Sequence, residues 1–132
     1  MKTSADVLEY NADQTAEHEA MCTALAKLFS KSLPTAESKV WHGHPVWFIE
    51  SNPVVGYSVK KAGVQVLFWS GQSFENSGLK PLGKFKAAAF DVEIFDAKTK
   101  ALLHTWLTEA EKIQWDYANV VKKRSLEKLT KF

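Results

Sequence analysis

Along the first part of the chain, apolar residues return at helical spacing. Residues 3–10 bring Val7, Leu8 and Tyr10 to one side behind Thr3 or Ser4, which predicts a short helix with a hydroxyl cap. A stronger helix follows. Met21, Cys22, Leu25, Leu28 and Phe29 share one of its faces, acids crowd its first turn where the helix dipole favours them, and Asp13 is the expected N-cap. It stops near Lys31, ahead of Leu33-Pro34. From Ser38 the pattern becomes that of a strand. Alternation along Lys39–Glu50 sets Val40, His42, His44, Val46 and Phe48 on one side, and Trp41, Gly43, Pro45, Trp47 and Ile49 on the other. Both sides are apolar, so both must be covered or one must line a groove.

Ser51-Asn52-Pro53 reads as a turn. The runs Val54–Val59 and Val64–Trp69, joined by Lys60-Lys61-Ala62-Gly63, read as a hairpin in which Gly63 takes positive φ. Residues 70–83, with Gly71, Gly78, Pro81 and Gly83, form a polar connection longer than a structural link needs, and such connections often carry function. Phe85–Phe90 reads as a fourth strand. Beyond it Leu102, Leu103, Trp106, Leu107, Ala110, Ile113, Tyr117, Val120 and Val121 fall on one stripe of a core-facing helix. Trp115 sits on the other side of that helix, where it meets another helix, a second chain or solvent. The basic tail 122–132 frays or adds a turn. The expected architecture is one α+β domain across residues 1–132: an antiparallel meander of four to five strands packed against N-terminal and C-terminal helices.

Composition narrows the function classes. A chain of 132 residues, 45% hydrophobic and 24% charged, supports one packed core. The net charge of +2 contains a single arginine, Arg124, so specific DNA readout, which leans on guanidinium groups, is not expected. One cysteine, Cys22, rules out an internal disulfide and a cysteine-cluster zinc site, in keeping with a reducing, cytoplasmic setting. No apolar run approaches the ~18 residues of a membrane span, and no basic-then-apolar leader opens the chain.

The densest local chemistry is Trp41-His42-Gly43-His44-Pro45-Val46-Trp47. In a regular strand His42 and His44 project the same way, as two imidazoles on one metal would, with Glu50, Glu17 or His18 as sources of a third ligand. His18 and Cys22 are four apart on a helix, close enough for a shared metal or an activated thiol. Trp41, Trp47, Trp69 and Phe48 offer flat apolar surface. With Lys84, Lys86 and the Gly71-Gln72-Ser73 loop they suit a cleft for an anionic or planar ligand. The ligand-binding set expected from sequence is therefore Trp41, His42, His44, Trp47, Trp69, Lys84 and Lys86. No nucleophile elbow, phosphate loop, HExxH helix or ordered Ser/His/Asp signature occurs.

Trp41, Gly43 and Pro45 at the strand entry, Phe68-Trp69-Ser70-Gly71, Gly83-Lys84-Phe85-Lys86 and Ile113-Gln114-Trp115-Asp116-Tyr117 together resemble the YdhG-like family of small domains of unknown function, over residues 5–124. The resemblance implies an α+β fold with an antiparallel sheet against helices, and supplies no catalytic residues to carry over. Some members bear a frataxin-like, iron-chaperone label. On that view Asp6, Glu9, Asp13, Glu17 and Glu19 resemble an acidic first helix that holds iron, with His42, His44, Asp13 and Glu17 as the metal candidates. The leading expectation is a non-enzymatic binding or accessory module with an aromatic groove, acting on a small ligand or protein partner as monomer or homodimer. The alternatives are a frataxin-like iron-binding chaperone and a dimeric interaction module.

Overall fold

A computed structural model describes residues 4–41, 43–60, 63–75, 78–81 and 86–114. Within them the order is α1 (Ala5–Ala12), α2 (Ala16–Ser32), β1 (Glu37–Trp41), β2 (His44–Ile49), β3 (Asn52–Lys60), β4 (Gly63–Phe68), β5 (Lys80–Pro81), β6 (Ala88–Val92) and α3 (Ala97–Lys112). The fold is α+β, as the sequence pattern implies, with six strands rather than four or five. All pair antiparallel in the order β1-β2-β3-β4-β6-β5. The extra strands arise at two places where local pattern is a poor guide. Lys80–Pro81 is too short to show alternation, and Lys39–Glu50 is two strands instead of one.

That second correction changes which residues share a face. Trp41 pairs directly with His44, and Gly43 between them has φ +82°, a conformation that glycine reaches without a Cβ penalty. The chain reverses between Trp41 and His44, which resets the alternation. Trp41 therefore lies on the same face as His44, Val46 and Phe48, opposite to Val40, Pro45 and Trp47. The next turn is Glu50-Ser51, at φ 49° and 69°, while Asn52 and Pro53 already belong to β3. Positive φ at both loop positions matches the right-handed twist of the flanking strands, even though neither residue favours it. A bulge between Trp47 and Phe48 sets Pro53 opposite Phe48, where the missing proline N–H does least harm.

Gly63 has a different purpose from the one its hairpin position suggests. Its φ is not positive; a Cβ there would lie 2.3 Å from the Val92 carbonyl oxygen, so the residue is small because β6 passes close by. The strand expected at Phe85–Phe90 runs instead from Ala88 to Val92. Thr15, not Asp13, caps α2, accepting the His18 N–H, and Asp13 ends α1 instead. α3 stops at Lys112 because Ile113 is extended (φ −111°, ψ 104°), so the apolar stripe does not continue as one helix.

The main core lies between one face of the sheet and the described helices. Trp47, Val55, Tyr57, Val66 and Phe68 meet Leu25 and Phe29 of α2 and Leu103, Trp106 and Leu107 of α3. Trp47 donates its indole N–H to Ser30 Oγ (3.1 Å), and its ring meets Phe29 edge-on at 5.1 Å. α1 is short and only Val7 of its apolar residues is fully buried, so polar bonds tie it to the sheet. Asp6 accepts the Val40 N–H of edge strand β1 (2.7 Å), Tyr10 Oη accepts the Val59 N–H (3.1 Å), and Tyr57 donates to Asn11 Oδ1 (2.6 Å).

Candidate functional site

The face of the sheet that carries none of the three described helices is built by the residues out of phase with Trp47. Cross-strand pairing aligns Lys39, Val46, Gly56, Leu67 and Ala89 across five strands on this side, with Ser58, Gln65 and Asp91 in the next row. Trp41 and Trp69, far apart in sequence, meet here with ring centroids 6.2 Å apart, and Trp41 also contacts Phe48 edge-on at 5.4 Å. Both tryptophans are half-buried while Val46 and Phe48 beneath them are buried. The Lys39 ammonium sits 4.7 Å from the Phe48 ring centroid, capping the cluster with a cation over a π face.

Beside the tryptophans runs a shallow groove of about 140 Å³, lined by His44, Val46, Gly56, Leu67, Trp69 and Lys60 among others. Gly56 sets its floor. A Cβ at that position would come within 2.5 Å of the Pro45 carbonyl oxygen and 3.1 Å of a Val46 methyl, so no larger residue fits without moving β2. His44 is exposed at the end of the groove.

The structure thus brings Trp41, His44 and Trp69 together and separates Trp47 from them. Trp47 is fully buried on the helix side, where its indole N–H is already bonded, so it does not line the groove. Lys86 lies beside the 3-10 turn Gly71–Ser73, its carbonyl accepting the Gln72 N–H at 2.8 Å, and is not among the groove's lining residues. His42 and Lys84 fall outside the described residues, as do Trp115 and the tail 122–132. Phe48 joins this face as its aromatic character implies, whereas Gly56 and Lys39 carry no such mark in the sequence. The signal for them is register, which fixes the face, rather than composition.

Asp13, Glu17, His18, Cys22 and Glu50 do not line this groove. Among the described residues, no three His, Cys, Asp or Glu side chains converge as a metal site. Glu17 and Asp13 are exposed near the junction of α1 and α2. Cys22 is wholly buried, and desolvation pushes its thiol pKa up to about 12, the opposite of an activated nucleophile. Asp6 is held below the usual carboxylate range, first by the Ser4 hydroxyl and then by the Val40 N–H, because both bonds favour the charged form. No described helix is long and apolar enough to cross a membrane.

No protein-family model matches the sequence, and no curated protein matches it. The fold has a solved counterpart in the crystal structure of YdhG, a DUF1801-family protein from Bacillus subtilis. The two share 12% identity at a TM-score of 0.54, over 92% of this chain and 94% of that chain. At that identity the likeness is one of architecture: the chain has a YdhG-like fold, and function has to be argued from its own side chains.

Proposed function

We propose that this protein is a non-enzymatic binding module that receives a flat apolar group, from a small ligand or a protein partner, on the sheet face that carries no described helix. The observation that supports this reading is the half-buried Trp41–Trp69 pair beside a groove that ends at His44 and Lys60. Tryptophan faces supply stacking area, and an imidazole and an ammonium at the end of a groove orient a polar or anionic edge. Size sets the scale. The groove of about 140 Å³ is well below the ~300 Å³ at which drug-sized pockets begin, so it accepts one ring or one side chain while the rest of the partner lies on the surface.

Titrating isotope-labelled protein with indole and with benzoate tests the reading. Shifts are expected at His44, Gly56 and Trp69. Trp69→Ala and Trp41→Ala should each weaken binding by about threefold to tenfold, the worth of one aromatic contact. Absence of shifts on this face at millimolar probe, or unchanged affinity in both variants, would reject it.

A further inference from the structure

A second, larger concavity lies on the other side of the molecule, where the end of α2 meets the start of α3. It has a volume of about 470 Å³ and is lined by Leu28, Lys31 and Ser32 of α2 and by Ala97, Lys100, Ala101 and His104 of α3. That volume falls within the range of small-molecule sites, unlike the groove on the sheet. Its shape follows from the sequence of α3. Ala97, Lys100, Ala101 and His104 recur at helical spacing on one face, and two alanines in that row leave open the space a longer side chain would fill. Leu28, 6% exposed, supplies an apolar floor.

The charge around this cleft is one-sided. Its lining contains two lysines, one histidine and no acid, in a chain whose 17 basic and 15 acidic residues nearly balance. Among the described residues neither lysine is ion-paired, since the one salt bridge found there joins Lys80 to Asp91. Asp96, the acid adjoining Ala97 in sequence, is occupied in capping α3, where it accepts the Thr99 N–H at 2.8 Å. An apolar floor rimmed by cationic groups is complementary to a molecule with an apolar body and one anionic end.

We infer that the α2–α3 cleft is a binding site for a small organic anion with an apolar body, the anionic group resting between Lys31, Lys100 and His104 and the body on Leu28, Ala97 and Ala101. This site is independent of the tryptophan face and does not rest on the function proposed there. Carboxylates and phosphate monoesters share the required chemistry.

The test uses the full chain, isotope-labelled, with octanoate, octyl phosphate, octanol and inorganic phosphate as probes. Octanoate or octyl phosphate should shift Leu28, Lys100, Ala101 and His104, and the tighter of the two identifies the anionic group. The double charge reversal Lys31→Glu/Lys100→Glu should weaken that probe more than tenfold, as should Ala101→Phe, which fills the cleft; Trp69→Ala should leave it unchanged. All of these positions are exposed or half-buried, so the variants keep the fold, which an unchanged amide spectrum elsewhere verifies. Equal binding of octanol, equal binding of inorganic phosphate, shifts mapping elsewhere, or insensitivity to both cleft variants would each overturn the assignment.

Discussion

Replacing Tyr57 by phenylalanine removes one oxygen from the centre of the core, and its cost is set by what that oxygen leaves behind. Tyr57 and Asn11 are each 2% exposed, and the phenol donates to Asn11 Oδ1 at 2.6 Å. Asn11 Nδ2 has no partner among the described residues, so the amide is satisfied on one side alone. Without the hydroxyl, both of its ends are stranded out of water. Losing the bond and orphaning its acceptor costs about 2 kcal/mol, while the ring contacts with Trp47 and Phe29 are retained. Asn11→Leu, nearly the same volume, orphans the phenol instead and costs a similar amount. The double variant buries no unpaired polar group, so it should be close to the wild type, giving a coupling of several kcal/mol in the opposite sense to the single effects. Urea unfolding measures this. With an m-value of roughly 1.5 kcal/mol/M, Tyr57→Phe lowers the midpoint by about 1.3 M with no change in slope. An unchanged midpoint for Tyr57→Phe, or a double variant as unstable as the two singles summed, refutes the reasoning.

Three further outcomes follow from the described geometry. Asp6→Asn should destabilise the fold by about 1–2 kcal/mol at neutral pH, because a charged acceptor for the Val40 N–H is lost. The folded pKa of Asp6 lies below its unfolded value of 3.8. Its contribution is therefore fully present above pH 3.8 and disappears as pH falls through the folded pKa, so wild type and variant should converge in acid melts. Replacing the Glu50-Ser51 turn by Asn-Gly should raise stability by about 0.5–1 kcal/mol, measured as a higher melting temperature, since those residues accept the positive φ values that Glu50 and Ser51 now hold under strain. Cys22 should react with a disulfide reagent only as fast as the chain opens, because the thiol is buried and its pKa is pushed up to about 12; labelling at the rate of an exposed thiol would contradict its place in the core.

Period alone made the helices legible. Met21, Cys22, Leu25 and Phe29 are buried as their spacing predicts, and so are Leu103, Trp106 and Leu107. Alternation sets the wrong faces for Lys39–Glu50, because the reversal at Gly43 falls directly between Trp41 and His44, with no run of small polar residues to mark it. Once the alternation is reset, Trp41 and Trp47 part company: one meets Trp69 on the face that carries no described helix, the other is core. Gly63 and Glu50-Ser51 were unreadable for complementary reasons. A glycine at a hairpin suggests positive φ when it is there to let β6 pass, and a turn that does need positive φ contains no glycine. The meeting of Trp41 with Trp69, like the convergence of Lys31 with Lys100, depends on how distant elements dock, which local spacing does not encode.

The bond from Val40 to Asp6 also decides how this sheet can be extended. β1 is an outer strand, and one main-chain donor it would offer to another chain, the Val40 N–H, is held by a carboxylate at the start of α1. A strand arriving from that side would have to displace a charge-assisted bond before making its first contact. Backbone pairing at this point of β1 therefore competes with a charge-assisted bond already made within the domain. At neutral pH, recognition on this flank falls to side chains, which can discriminate among partners where a bare strand edge cannot.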